Sequence, residues 1–258
     1  MRSQLLTEGQ LAAFQRDGFI IVPELLSAEE ADLLRQVAKS DREISLGRQS
    51  RADGEGGSVD LVVRNDVASD SVYSAIVQAE PLVSAMEALL QDEVYHYHHK
   101  MILKDPHVGG AWTWHQDYGY WYSNGCLYPD MASCMIAVDD ATVENGCLQV
   151  LRGSHHMGRI EHLQRGDQTG ADIERVEAAL ERLELVHVEI PSGAGVIFHA
   201  NLLHRSDRNN SEHPRWAFIC CYNTRHNNPY RESKHPRYTP LTKQSADRIA
   251  EVARRQLS

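Results

Sequence analysis

The chain has 258 residues, of which 42% are hydrophobic and 24% are charged, and its formal net charge is −10. This composition is typical of a globular protein that is long enough to bury a substantial core as one domain. The negative charge argues against a nucleic-acid partner, which would require a basic surface. We expect no membrane association, because the N-terminus lacks a signal-peptide core and no apolar run reaches the length that spans a bilayer.

The cysteines are odd in number and lack the spacing of a zinc ribbon. They are Cys126, Cys134, Cys147, Cys220 and Cys221. Free thiols in a reducing cytosol are the natural interpretation, so we predict a cytoplasmic protein. Such a compartment also favours ferrous iron.

The first part of the chain is predicted to be largely helical. Residues 7–10 and 27–30 each have the form of a capping box, so each predicts the start of a helix. Between them, residues 19–22 are rich in β-forming side chains and predict a short strand. A longer helical stretch, broken once at Pro81, is predicted over residues 69–90.

Short extended segments dominate the chain after residue 93. A turn at Asn145 and Gly146 predicts that two of them are joined as a hairpin, and residues 170–183 predict a helix or a partly ordered excursion. Many short strands separated by Gly, Pro and Asn turns, with helices mainly before them, predict a mainly β core with flanking α-helices. The predicted strands are residues 94–103, 132–138, 147–151, 185–190, 196–199 and 215–222.

No internal repeat, low-complexity tract or linker divides the sequence, so we predict a single domain over residues 1–258. It would consist of a helical N-terminal part over 1–92, a β core over 93–222, and a C-terminal tail and helix over 223–258. The helix, predicted over 245–256, either closes the fold or contacts a second copy. Both a monomer and a homodimer are therefore compatible with the sequence.

Two further segments are predicted to lie at the surface. Residues 39–58 are polar and Gly-rich and predict a mobile loop, with a lid over a site as the alternative. Residues 223–243 have a local excess of basic side chains. This tail either folds over the mouth of a pocket, where it would attract an anionic substrate, or is solvated.

A candidate metal site begins with His115 and Asp117, which lie two positions apart among aromatic residues. In an extended segment such residues face the same side, so an imidazole and a carboxylate converge on one point, which suits a divalent metal. This triplet alone is weak evidence in a chain with 14 histidines. A jelly roll brings distant strands side by side, so His204 could complete a set of ligands that leaves three positions of an octahedral metal open.

Those open positions suit a 2-oxo acid and dioxygen. The far carboxylate of such a co-substrate needs a partner, and the planar guanidinium of Arg215, at the start of the next predicted strand, suits it. Ser206 could add a hydroxyl group. The alternative role for Arg215 is a surface salt bridge.

Together these residues resemble the phytanoyl-CoA dioxygenase family of Fe(II)/2-oxoglutarate oxygenases, from about Leu6 to about Tyr222. The resemblance implies a double-stranded β-helix, which is a cupin-like jelly roll. It also implies a reaction whose co-products are succinate and CO₂. The motifs that resemble the family are His115-Gln-Asp117, the run from Asn145 to His155, His204-Arg-Ser206, and Arg215. By this resemblance, His115, Asp117 and His204 are the catalytic iron ligands, Arg215 and Ser206 bind 2-oxoglutarate, and Met101 packs along it.

Two details of the resemblance bear on the reaction. Related halogenases replace the iron carboxylate with a small residue, so the presence of Asp117 argues against halogenation. The namesake acyl-CoA enzymes have a Trp after the H-x-D strand, where this chain offers Met135 or Ile136. That difference argues weakly against an acyl-CoA substrate.

Substrate contacts are predicted from residues near the metal ligands. Tyr118, Tyr120 and Asn124 follow Asp117 into a predicted loop, whereas Trp112 and Trp114 are expected in the core. In the run 95–99, His96 and His98 are expected on one face of a strand and His99 on the other. Substrate contact by His98, with Lys100 beside it, is favoured over a second metal site.

The leading hypothesis is a hydroxylase that uses Fe(II), 2-oxoglutarate and O₂ on a small polar metabolite, including anionic ones such as amino acids or organophosphonates. One alternative is an oxygenase of an acyl-CoA or natural-product intermediate. A zinc hydrolase would use metal-bound water as the nucleophile, but it would leave Arg215 and Ser206 without a role. The third class is a non-catalytic cupin-like binding module.

Overall fold

A computed structural model describes residues 6–53, 57–67, 70–165 and 167–258. The α-helices in these ranges are α1 (Glu8–Asp17), α2 (Ala28–Ser40), α3 (Arg42–Leu46), α4 (Val72–Val77), α5 (Glu80–Leu90), α6 (Asp117–Trp121), α7 (Ile173–Leu180) and α8 (Arg248–Leu257). The strands are β1 (Phe19–Val22), β2 (Gln49–Ala52), β3 (Ser58–Arg64), β4 (Val94–Lys104), β5 (Trp112–His115), β6 (Met131–Ala137), β7 (Leu148–Leu151), β8 (His162–Arg165), β9 (Gln168–Ala171), β10 (Leu185–Val188), β11 (Gly195–His199), β12 (His204–Ser206) and β13 (Arg215–Thr224). Among the described residues, none of the helices has both the length and the apolar character that crossing a membrane requires.

Two antiparallel sheets form the core. The larger has the strand order β1-β11-β6-β13-β4-β3-β2, and the smaller has the order β10-β7-β12-β5. One hydrophobic cluster, which includes Val150 and Phe198, contains side chains from both sheets, while a second cluster joins the large sheet to the helices through residues such as Leu34 and Phe218. The predicted fold class, a mainly β jelly roll with flanking helices, is confirmed.

Local sequence signals placed the first two helices correctly. In each predicted capping box the side chain of Thr7 or Ser27 accepts a backbone N–H three residues later, and the reciprocal side-chain bond is also formed. The stretch predicted over residues 69–90 is two helices, α4 and α5. The break precedes Pro81, which lies in the first turn of α5, where a missing N–H leaves no hydrogen bond unmade. Residue 69 lies outside the described ranges.

The segment predicted as a polar loop over residues 39–58 is largely regular in its described part, which excludes residues 54–56. After α2 ends at Ser40, α3 follows, and β2 then pairs with β3 at the edge of the large sheet. All four residues of β2 are exposed, so this strand has no hydrophobic alternation to reveal it. Since β1, β2 and β3 all belong to the large sheet, the predicted helical part over 1–92 is not a separate structural layer.

The predicted hairpin between β6 and β7 is wrong. β6 lies between β11 and β13 in the large sheet, whereas β7 lies between β10 and β12 in the small one. The turn at Asn145 and Gly146 does exist, with Gly146 at a φ of 78° and the Asn145 side chain bonded to the carbonyl oxygen of Asp140. A turn signal predicts that the chain reverses, but not which strand it pairs with afterwards.

The C-terminal and central helices differ from prediction in detail. The helix predicted over residues 170–183 begins only at Ile173, because Gln168–Ala171 pairs with β8 instead. The last helix, α8, packs against α2 and α4 and buries Ile249 and Val252. It closes the fold, as one of the two predictions for it proposed.

A β-bulge in β4 decides which of its side chains face the interior. The register against β13 shifts at Tyr97, so that the alternation of inward and outward side chains is reversed beyond it. His98 and Lys100 consequently line an interior cavity, whereas His96 and His99 contact each other on the opposite side, with 3.1 Å between ring nitrogens. The prediction that His96 and His98 share a face is therefore wrong.

Candidate active site

Three buried side chains from different elements converge beside the small sheet. His115 ends β5, Asp117 is the first residue of α6, and His204 begins β12 directly opposite His115. One ligand atom from each residue lies within 4.8 Å of the other two. The two imidazole rings have centroids 4.1 Å apart. This spacing allows one metal ion to contact two imidazoles and one carboxylate, the donor set of non-haem iron oxygenases.

Both histidines are oriented by backbone carbonyl groups. The Nδ1 atom of His115 lies 2.8 Å from the carbonyl oxygen of Thr113, and that of His204 lies 2.9 Å from the carbonyl oxygen of Leu202. A carbonyl oxygen can accept a hydrogen bond but cannot donate one, so each Nδ1 must have the ring proton. Each Nε2 then has a free lone pair for a metal.

Asp117 is ionised although it is buried. Burial raises its pKa, but the charge of Lys100, the neighbouring imidazoles of His204 and His115 and the hydrogen bond from Ser133 lower the pKa below its usual range. The Oγ of Ser133 donates to Oδ2 of Asp117 over 2.8 Å. Burial lowers the pKa of both histidines, so these remain neutral. An ionised carboxylate with two neutral imidazoles is the protonation state that metal binding requires.

Gln116 creates the change from strand to helix that presents Asp117. Its fully buried side-chain amide donates to the carbonyl oxygens of Gly158 and Asn201, each over 2.8 Å, and its Oε1 accepts the N–H of Ile160 over 2.7 Å. One side chain thus links three segments of the chain at the metal site. Sequence reasoning passed over this residue, since nothing in the H-x-D motif indicates what its middle residue contacts.

A cavity of about 360 Å³ adjoins the three residues. Its walls combine aromatic and aliphatic side chains, and its charged side chains are mainly basic. The predicted site residues on it are His98, Lys100, His115, Asp117, Tyr120, Asn124, His204, Ser206 and Arg215. The site residues on it that the sequence did not predict include Arg51, Trp121, Phe198 and Arg205. His235 also lines it, so the tail folds over the pocket, as one of the two predictions for it proposed.

Arg215 lies buried in the wall of this cavity. Its guanidinium donates to the carbonyl oxygen of Gly146 through Nε, at 3.1 Å, and through one terminal nitrogen. Burial lowers the pKa of Arg215 to about 10, so it is charged at neutral pH. Within the described part of the chain no carboxylate lies in salt-bridge range of it. The surface salt bridge considered as its alternative role is therefore not formed, and its remaining donors are available to an anion.

Lys104 is a second buried basic residue at this end of the site. It lies opposite Arg215 in the β4–β13 register, and its Nζ donates to Oγ of Ser206 over 2.9 Å and to the carbonyl oxygen of Asp207. Burial, followed by the neighbouring charge of Arg215, lowers the pKa of Lys104. Only the register reveals this pairing, because a lysine at a strand end usually reaches solvent.

Two predicted site residues lie elsewhere. Met101 is on the outer face of β4, packed in the cluster between the large sheet and the helices, because the inward residues on either side of it are Lys100 and Ile102. Its predicted contact with 2-oxoglutarate is therefore wrong. Tyr118 is buried with its hydroxyl donating to the carbonyl oxygen of Cys126 over 3.2 Å, and it does not line the cavity.

Of the two tryptophans predicted in the core, one lies there and the other lines the cavity. Trp114 is buried in a cluster outside the cavity, as predicted. Trp112 was also expected in the core, but it is only half-buried and lines the cavity. Tyr120 and Asn124 line it as predicted, the Tyr120 hydroxyl donating to the carbonyl oxygen of Thr169.

Known proteins resemble this chain over most of its length. The model of the phytanoyl-CoA dioxygenase (PhyH) family matches residues 14–217. The chain is 30% identical over 260 residues to L-proline trans-4-hydroxylase from Streptomyces griseoviridis, covering 92% of this chain and 95% of that protein. It is 27% identical over 249 residues to ectoine dioxygenase from Bordetella bronchiseptica, covering 90% and 80%.

Solved structures show the same fold. EctD from S. alaskensis with 2-oxoglutarate and 5-hydroxyectoine has a TM-score of 0.79 at 21% identity, covering 95% of this chain and 89% of that one. The same protein with bound Fe has a TM-score of 0.78 at 21% identity. The hydrolase and binding-module alternatives receive no support from these comparisons. The chain is an iron- and 2-oxoglutarate-dependent dioxygenase, and it belongs to the phytanoyl-CoA dioxygenase family.

Proposed function

We propose that the protein hydroxylates a small amino-acid-type metabolite and that His115, Asp117 and His204 hold its iron. The observation that supports this most is the buried set of two neutral imidazoles and one ionised carboxylate beside a small, basic cavity. Iron at this position would supply the coupling of O₂ to decarboxylation of 2-oxoglutarate, so that substrate, O₂ and 2-oxoglutarate give hydroxylated product, succinate and CO₂. The protein binds and orients the two organic molecules and keeps water from the reacting C–H bond.

Arg215 and Ser206 are proposed to bind the far carboxylate of 2-oxoglutarate, with Lys104 as a third partner. The support is electrostatic, since two adjacent buried cations without a carboxylate partner in the described ranges attract an anion. The planar guanidinium of Arg215 can bind both oxygens of a carboxylate. The hydroxyl of Ser206, which already accepts from Lys104, has its own proton free to donate.

The size and lining of the cavity support a small substrate. At about 360 Å³ it lies near the lower end of ligand pockets, about 300–1,000 Å³, and it must also admit the reactive end of 2-oxoglutarate. This argues against an acyl-CoA. Trp112, Tyr120 and Trp121 offer aromatic surface to a ring, while Lys100 and Arg51 favour an anionic group. Two relatives are named for L-proline and ectoine, which favours amino-acid-type substrates over organophosphonates.

We further propose that residues 1–258 act as one domain, in the cytoplasm, as a monomer or a homodimer. All five cysteines are unpaired and buried, which supports a reducing compartment. The apolar face of α8 is buried against the rest of the chain, so this helix offers little for a dimer contact. Size-exclusion chromatography with light scattering would determine the oligomeric state.

The test is anaerobic reconstitution with Fe(II), followed by addition of O₂ and 2-oxoglutarate with a panel of substrates. The panel contains L-proline, ectoine, an aminoalkylphosphonate and an acyl-CoA, and both succinate and hydroxylated product are measured. We expect an amino-acid-type compound to stimulate succinate formation with equimolar product. Asp117→Ala should lose this activity, while the control Asp32→Ala on the surface of α2 should keep it.

Two results would contradict the proposal. If only the phosphonate or the acyl-CoA were turned over with coupled succinate formation, the proposed substrate class would be wrong, while the proposed iron site would stand. If Asp117→Ala still formed succinate and hydroxylated product in equal amounts at the native rate, the proposed set of iron ligands would be wrong.

A further inference from the structure

Two imidazoles in the cavity wall have no hydrogen-bond partner in the described structure. The Nδ1 atoms of His98 and His235 are both buried and unpartnered. Their rings lie 5.9 Å apart, and both line the cavity that contains the metal-binding residues. Leaving a buried polar atom unpaired destabilises the folded protein, so such atoms call for an explanation, and a ligand that forms the missing hydrogen bonds is a direct one.

Both rings are nevertheless held in place. His98 faces inward because of the bulge at Tyr97, and its ring meets that of Trp121 edge to face at 5.7 Å. His235 stacks on the ring of Tyr97, with centroids 5.1 Å apart and 12° between the planes. The side-chain amide of Asn65 also donates to the carbonyl oxygen next to His235 in the chain, over 3.1 Å. The positions of these imidazoles are therefore fixed by packing, while their nitrogens remain available.

The surrounding charge selects the kind of group that would bind there. Burial lowers the pKa of both His98 and His235, so each is neutral and has one N–H to donate and one lone pair to accept. Lys100, the next inward residue of β4, places a positive charge near His98 and forms no salt bridge within the described ranges. The carboxylate of Asp117 acts on His98 in the opposite sense, but the effect of Lys100 on the pKa of His98 is the larger of the two. A positive charge repels an ammonium group and attracts a carboxylate. We therefore expect each of the two imidazoles to donate its N–H to a carboxylate oxygen.

We propose that His98 and His235 bind the carboxylate of the hydroxylated substrate, with Lys100 supplying the opposite charge. This inference rests on the proposed function and names the part of the pocket that recognises the acid group. His235 lies in the C-terminal tail, beyond residues 14–217 that match the family model. The tail thus contributes a residue that determines specificity from outside the region that defines the family.

The test compares an acid with its amide. The probes are whichever of L-proline and ectoine is turned over, and the corresponding carboxamide. His235→Phe retains a ring that can stack on Tyr97 but has no N–H, and it lies in an exposed tail, so the fold should persist. We expect the KM for the acid to rise about 10- to 100-fold, as for a lost hydrogen bond to a charged group, while the KM for the amide and for 2-oxoglutarate stays within about 3-fold.

Two further variants separate binding from structure. His235→Gln restores a side-chain N–H and should recover part of the acid preference, whereas His187→Phe, at an exposed position of β10, should have no effect. His98→Phe, which likewise has no N–H, should raise the KM for the acid in the same way as His235→Phe, with little change in kcat.

Three outcomes would overturn the inference. An unchanged KM for the acid in His235→Phe would show that the imidazole is not a partner. An equal rise for acid and amide would assign it a packing role. If neither acid stimulates succinate formation in the native enzyme, the proposed function fails as well, and this result is distinct because the variants are not needed to see it.

Discussion

The two ends of the active-site cavity are built on different principles. The floor comprises the three metal-binding residues and Arg215. There every functional group is fixed by a hydrogen bond, either to the carbonyl oxygen of Thr113, Leu202 or Gly146 or from the hydroxyl of Ser133. At the roof, which comprises Arg51, His98 and His235, packing alone holds the imidazoles. The difference teaches that the floor is preorganised for a reaction common to a family, whereas the roof leaves its polar atoms for whichever substrate enters.

The sharpest way to test this comparison is at Arg215. Arg215→Gln removes a buried positive charge from its anionic partner, which typically costs about 2–5 kcal/mol and corresponds to a rise of roughly 30-fold to 1,000-fold or more in the KM for 2-oxoglutarate. The KM for the primary substrate should change much less, because the roof is untouched. Succinate formation at varied 2-oxoglutarate measures both effects.

The control for this change is Arg182→Gln, at an exposed arginine just after the end of α7, which should leave both constants unchanged. If Arg215→Gln instead raised the two KM values equally, floor and roof would not bind separate molecules, and the division proposed here would be wrong.

A smaller effect is expected from the hydrogen bond behind Asp117. Ser133→Ala leaves all three metal-binding side chains present but removes the donor that orients one carboxylate oxygen. Losing an orienting partner of a metal ligand typically lowers metal affinity about 10- to 100-fold. Competition with an iron chelator measures this affinity, and Ser45→Ala, on exposed helix α3, is the matched control. An unaltered affinity would mean that packing, as at the roof, is enough to orient Asp117.

Substituting Lys104 tests whether a buried basic residue beside the floor destabilises the free protein while favouring 2-oxoglutarate binding. Lys104→Met removes a buried cation that lies beside Arg215, so the protein without 2-oxoglutarate should melt at the same or a higher temperature. The KM for 2-oxoglutarate should nevertheless rise about 10-fold, the effect of one charge-assisted hydrogen bond. Thermal melting with and without 2-oxoglutarate gives both values. A lower melting temperature with unchanged 2-oxoglutarate binding would make Lys104 a structural residue only.

The floor could be predicted from the sequence because its chemistry resides in short motifs. His115 and Asp117 are two positions apart, and His204, Ser206 and Arg215 follow one another closely. Their roles depend on residue type and on a fold in which β5 and β12 are neighbours. A jelly roll guarantees that neighbourhood, so the assembly of the site required no knowledge of individual side-chain contacts.

The roof could be predicted only in part, for reasons that are also physical. A single extra residue at Tyr97 reverses the alternation of β4, so the faces assigned to His96 and His98 were wrong. Arg51 belongs to a fully exposed strand that has no hydrophobic pattern. His235 reaches the cavity through a tail without regular structure, where it stacks on Tyr97, and the basic composition of the tail does not indicate which of its residues does so.

The smallest predicted effect concerns how the tail is attached. His226, near its start, contacts Asp92 over 2.7 Å and Asp130 over 2.8 Å. Burial opposes its protonation, but hydrogen bonds to these two carboxylates raise the pKa of His226 overall. Because the folded-state pKa is raised, this stabilisation is complete below the unfolded pKa, about 6.5, and is lost as the pH rises through the folded value.

His226→Gln should therefore lower the free energy of unfolding more at about pH 5.5 than at about pH 8.5. The side chain is 48% exposed, so solvent screening limits the difference to about 0.2–1 kcal/mol. Urea unfolding at the two pH values measures it, and Asp92→Asn should show the same dependence because it removes the other half of the pair. A pH-independent loss would mean that His226 acts through packing alone, as the imidazoles of the roof do.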